Sequence, residues 1–149
     1  MKIEHWHSQS PSKYPEEQLD YTNLLGACKG NEGQPRAKQH CDSRKADQHL
    51  SRNPANPAHA VEDFIRFEFD GSIASTGPIF DTEPNAVLNL NLAFLKNNRK
   101  VTLDAFKVLL GKDGRLERRL QKWNGELDSG ALQPYCQVVV YWLRKRLRP

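Results

Sequence analysis

Ile65-Arg66-Phe67-Glu68-Phe69-Asp70-Gly71-Ser72-Ile73 changes the period of the chain. Ile65, Phe67 and Phe69 alternate with Arg66, Glu68 and Asp70, the two-residue repeat of a half-buried strand. Asp70-Gly71 then supplies a dipeptide suited to a tight turn, so the stretch predicts a β-hairpin. The sequence on its two sides differs in character.

Toward the N-terminus, residues 1–60 are polar and rich in turn formers. Residues 8–12 and 30–35 read as loops, and the short apolar run from Tyr21 to Ala27 between them reads as a strand. Asp42 to Leu50 contains no breaker and predicts a short helix, which Asn53-Pro54 and Asn56-Pro57 end. Toward the C-terminus the pattern is helical. From Asn85, Val87, Leu88, Leu90, Leu92, Phe94 and Leu95 form an apolar face through about residue 97. Thr102 reads as the N-cap of a new helix bearing Leu103, Phe106, Leu109 and Leu110, with Gly111 as its C-cap. Arg115 to Trp123 predicts a charged helix. A last helix opens at Gln133 or Pro134, with Tyr135, Val138, Val139, Trp142 and Leu143 on one face. The layout is α+β, with a polar front over 1–52 and a hairpin plus helical region over 53–149.

The chain has 149 residues and three cysteines, Cys28, Cys41 and Cys136. An odd, small number of cysteines without a secretory signal argues against a disulfide scaffold. No apolar h-region and no run of 18 apolar residues is present. These features predict a soluble, cytoplasmic protein. A net charge of +4 and a pI near 9.0 are compatible with a polyanionic partner without demanding one.

Three features stand in order: Glu4-His5, then Asn23-Leu24-Leu25, then Cys28 with His40-Cys41-Asp42 and Lys45. Phosphodiester hydrolysis needs a base to activate water, a divalent metal on the scissile phosphate, and a group that fixes the tautomer of the base. A histidine beside a carboxylate offers base and ligand on one strand. A downstream asparagine can orient the base, and Asp42 on a helix can complete an oxygen site suited to Mg²⁺.

Ile3-Glu4-His5, Tyr21-Thr22-Asn23-Leu24-Leu25 and His40-Cys41-Asp42-Ser43-Arg44-Lys45 resemble the HNH, or ββα-metal, nuclease motif. More narrowly, the front half is similar to the HNH endonucleases associated with retrons and with the Septu antiphage system, and the likeness extends through Asn53-Pro54-Ala55 and residues 64–71. The resemblance implies His5 as general base, Asn23 orienting the loop and His5, and Glu4 and Asp42 as ligands of Mg²⁺ or Mn²⁺. It also implies Cys28 and Cys41 as one half of a structural Zn²⁺ site, DNA as substrate, and an ATPase subunit as partner. The family's second Cys pair lies upstream of the Glu-His motif, and here no residues occupy that place. Cys28 and Cys41 are themselves separated by twelve residues instead of two. The sequence therefore reads as the downstream part of a longer frame, beginning at an internal Met.

Lys45 and Arg44 are candidates for phosphate contact. His7 and His40 read as solvated or supporting groups unless one of them completes the zinc site. Cys136 reads as a core cysteine. Arg144, Lys145, Arg146 and Arg148 end the last helix, where cations favour its dipole. The expected function is an antiphage HNH endonuclease. The alternative is a truncated family member, catalytically impaired, that acts as a protein-interaction module.

Overall fold

The computed structural model describes residues 1–10, 13–77, 80, 82–110, 115–127 and 131–148, apart from the side chains of 109 and 110. The fold is α+β, with two small two-stranded sheets. It divides into two compact units. The front unit comprises Met1–Arg66 and Ile73–Leu92, and the helical unit comprises Phe67–Ser72 and Ala93–Pro149.

In the front unit, β1 (Lys2–His5) runs antiparallel to β2 (Leu24–Ala27), with Glu4 opposite Leu25 and His5 opposite Leu24. The expected strand over 21–27 is thus shorter. Tyr21–Asn23 forms a turn of 3-10 helix, because the Asp20 carboxylate accepts from Thr22 N and caps it. The helix expected over 42–50 is α1, Cys41–Lys45. It stops at Ala46, whose φ of 49° is left-handed backbone that an alanine takes only under constraint. The constraint is visible at Lys45, which is 5% exposed and donates to the carbonyls of His5 and Ala46, binding the end of α1 to β1.

The apolar face expected to run helically from Asn85 is interrupted. Glu83–Val87 forms one π-helical turn, and Asn89 takes a φ of 52°. Leu88 O accepts from Cys41 N, and Asn89 Nδ2 donates to Gln39 O, so this segment fastens the start of α1. Asn53 is buried and donates to Thr22 O.

The hairpin is present as β3 (Ile65–Phe67) and β4 (Ile73–Ser75). Its tip belongs to the helical unit. Gly71 has a φ of 83°, and a Cβ there would lie 2.0 Å from Lys96 O, so the turn requires glycine on two counts. Beside it, Arg99 Nε donates to Gly71 O at 2.6 Å and Lys96 pairs with Asp70 at 2.8 Å.

Ala93–Leu110 is one continuous helix, α2. The N-cap expected at Thr102 is absent, because Thr102 sits mid-helix with its hydroxyl bonded to Asn98 O, one turn back. Gly111, the expected C-cap, lies outside the described residues. α3 (Leu116–Trp123) and α4 (Cys136–Leu147) follow. Leu116, Leu120 and Trp123 pack on a core of Phe106, Val139 and Leu143, and Cys136 is buried as expected. Each large core side chain contributes roughly 1.5–3 kcal/mol by leaving water.

Candidate functional site

The chemistry-bearing residues all lie in the front unit. On β1, Lys2 and Glu4 share a face by the two-residue repeat. Lys2 Nζ lies 3.0 Å from Glu4 Oε1 and 2.9 Å from Asp42 Oδ2 in the first turn of α1, with Glu32 at 3.5 Å. These carboxylates hold the Lys2 ammonium well above the ordinary lysine range, the hydrogen bond to Asp42 being the largest cause. Glu4 and Asp42, separated by 37 residues of chain, thus converge on a single cation. Two carboxylates that converge in this way have the donor type a hard divalent ion prefers, and here the Lys2 ammonium fills the space between them.

His5 ends β1. Its Nε2 is 3.0 Å from the carbonyl oxygen of Gln18. A carbonyl can only accept, so this contact favours the tautomer with the proton on Nε2 and the lone pair a base requires on Nδ1, whereas the Gln9 side-chain amide nitrogen, 3.3 Å from the same Nε2, would favour the other.

Asn23 determines where that carbonyl sits. It is 3% exposed, and its Oδ1 accepts from His7 N at 2.8 Å. Its Nδ2 donates to His7 O at 3.2 Å and to Glu17 O at 3.1 Å. One side chain therefore ties the exit of β1 to the residue before Gln18. His7 is partly buried and partnered, the second of the two places expected for it, solvated or supporting. It bonds Glu17 at 2.5 Å and stacks between Trp6 and Tyr14, with centroids at 3.9 and 4.1 Å.

A second cluster gathers at the start of α1. Cys28 follows β2, while His40 and Cys41 are neighbours. One potential ligand atom from each lies within 4.8 Å of the others, a group that could hold a metal ion. His40 Nδ1 is 3.8 Å from Cys28 Sγ and 3.2 Å from Cys41 Sγ. His40 is buried, which lowers its pKa, so the imidazole is neutral and offers a lone pair at neutral pH.

Gly30 makes this approach possible. Its φ is 58°, and a Cβ would meet His40 O at 2.1 Å. His40 N donates to Gly30 O, and Ser43 Oγ donates to Lys29 O, closing the Cys28 loop on the helix. Cys41 itself takes a φ of 52°, a strained conformation at a residue of the cluster. The sequence assigned Cys28 and Cys41 to this role and left His40 as a possible substitute. The signal for His40 was its adjacency to Cys41, and its burial depends on a loop ten residues away.

The two phosphate-contact candidates are placed otherwise. Lys45 is buried against the backbone, as described above. Arg44 donates through Nη1 to Arg36 O at 2.9 Å. Both serve internal ties to carbonyl groups.

No family model, curated protein or solved structure matches the chain. No described helix is long and apolar enough to cross a membrane.

Proposed function

We propose that this protein is a metal-dependent DNA endonuclease of the HNH type, working in the cytoplasm as an antiphage effector with an ATPase partner. The observation that carries the reading is the linked set on β1, loop, β2 and α1. His5 meets the Gln18 carbonyl through Nε2, Asn23 clamps the loop that presents this carbonyl, and Glu4 and Asp42 face one cation. DNA as substrate, antiphage defence and the ATPase partner come from the sequence resemblance alone.

His5 Nδ1 takes a proton from water as the water oxygen attacks phosphorus. The bond from phosphorus to the leaving oxygen breaks, and that oxygen is protonated from solvent. The Gln18 carbonyl stabilises the imidazolium that forms. Glu4 and Asp42 would hold Mg²⁺ or Mn²⁺, which when bound supplies stabilisation of the charge developing on phosphate and leaving group. Cys28, His40 and Cys41 would hold Zn²⁺ in a structural role, as two thiolates and a neutral imidazole suit that ion, with a fourth ligand completing the tetrahedron.

One observation favours the alternative of a non-catalytic interaction module, namely the Lys2 ammonium between the two carboxylates. Plasmid nicking with Mn²⁺ separates the readings. The full chain should convert supercoiled to open-circular DNA, and His5→Ala should lower the rate at least ~100-fold, the scale of a general base. Absence of cleavage in every divalent metal would favour the module.

A further inference from the structure

The charge of the protein is unevenly divided. The front unit holds 9 Lys and Arg against 11 Asp and Glu, whereas the helical unit holds 13 against 7. The unit that bears the candidate nuclease residues is therefore net acidic, and a polyanion would be repelled by its net charge. The excess of cations in the helical unit is concentrated in α3 and α4. Arg118, Lys122, Arg144, Lys145, Arg146 and Arg148 are all exposed there.

These cations are treated differently from those of α2. Lys96 pairs with Asp70, and Lys100 and Lys107 both pair with Asp104. Among the described residues, Arg118, Lys122, Arg144, Arg146 and Arg148 have no carboxylate within ion-pair distance. A helix dipole rewards a cation in its last turn by roughly 0.3–1 kcal/mol. Four cations within five residues repel one another, and among the described residues no acid pairs with them. The dipole accounts for one or two of them and, at the end of α3, for Lys122, but has no bearing on Arg118 in the first turn of that helix. Arginine also predominates over lysine, and its planar fork pairs with phosphate oxygens through two hydrogen bonds at once.

We propose that the exposed basic face of α3 and the last turn of α4 form the surface on which the protein holds a nucleic-acid phosphate backbone. The choice of a nucleic acid over other polyanions rests on the nuclease reading above. An anionic membrane is disfavoured by the helix itself. The apolar side of α4, Val138, Val139, Val140 and Leu143, is buried in the core and has nothing left to insert. Backbone contacts of this kind fix position without reading sequence.

The test uses the full chain and a short fluorescein-labelled DNA duplex in EDTA, with binding read by fluorescence anisotropy across a salt series. The wild type should bind with a steep dependence on salt. R144Q/R146Q/R148Q should weaken binding more than ~10-fold at low salt and lower the log–log salt slope by about 2–3, since each phosphate contact contributes about 0.9. R118Q/K122Q should lower it by about 1–2. It keeps the proposal testable if the triple variant loses its helical circular dichroism. Variants with wild-type affinity and slope would overturn the proposal, as would binding to phosphatidylserine vesicles without binding to DNA. A protein that binds DNA through these residues yet never nicks it loses the nuclease reading and keeps this surface. A protein that nicks DNA while the variants bind unchanged does the reverse.

Discussion

In the helical unit the buried side chains are Leu95, Leu103, Phe106, Cys136, Val138, Val139, Val140 and Leu143, with Arg99 as the one charged group among those described. In the front unit Leu50, Ile73 and Phe80 are buried beside Asn23, His40, Lys45 and Asn53. One region is closed by apolar burial, which is non-directional and tolerates imperfect placement. The other is closed by hydrogen bonds from a few polar side chains to distant backbone groups, where each missing partner leaves a buried group unsatisfied. The difference matters for function. Directional ties fix atoms such as the Gln18 carbonyl and the Cys41 thiol, and a site needs fixed atoms more than it needs bulk.

The sharpest way to break this contrast is metal removal. If Cys28, His40 and Cys41 hold Zn²⁺, a chelator should strip hydrogen-exchange protection from residues 24–45 while α2 and α4 stay protected. Metal-linked folding is worth on the order of 10 kcal/mol in small zinc-held modules, far more than the apolar core of the front unit can replace. Protection at His40 N and Cys41 N that survives complete chelation would mean that the front folds on its polar ties alone.

Two substitutions probe the two kinds of closure at smaller cost. Asn23→Ala leaves His7 N, His7 O and Glu17 O without their partner, and should destabilise the front unit by about 4 kcal/mol in urea titration. Because the same clamp presents the Gln18 carbonyl, it should also slow any cleavage that depends on His5. Leu143→Ala removes a fully buried side chain and should cost the helical unit about 3 kcal/mol while leaving metal content unchanged. If Asn23→Ala melts α2 and α4 as readily as residues 1–45, the two units do not differ in the way described.

The same contrast explains what the sequence could convey. The hairpin and α4 were readable because period and turn chemistry act within a few residues, as at Asp70-Gly71 and at Val138, Val139 and Leu143. α2 was misread at Thr102. The polar run Asn97-Asn98-Arg99-Lys100 looks like a break, yet Arg99 faces inward and is satisfied by Gly71 O, a partner 28 residues away. In the front unit nearly every tie is of that long-range kind. Lys45 bonds β1 across 40 residues, and Asn89 reaches Gln39 across 50. No local pattern records such bonds, so α1 was expected to run to Leu50 and Lys45 to meet phosphate. Asn23, Glu4, His5 and Asp42 were singled out by motif order, and the convergence of Glu4 and Asp42 on Lys2 is a long-range placement that periodicity could not have recorded.

The smallest effect expected is the most informative about the carboxylate pair. Lys2 Nζ sits within 3.0 Å of both Glu4 and Asp42, so a divalent ion at that point must displace the ammonium. Lys2→Met keeps the aliphatic stem that lies along β1 and removes the competing charge. The pair is partly exposed, so the relief is modest. An increase of about tenfold in Mn²⁺ affinity, equivalent to about 1.4 kcal/mol, is expected in electron paramagnetic resonance titrations. Unchanged affinity would place the ion elsewhere, and weaker affinity would mean that Lys2 holds the two carboxylates in position instead of competing for them. Comparing Lys2→Met with Lys2→Met/Asp42→Asn settles which carboxylates are involved, because the gain should vanish when one of the two converging oxygens is neutral.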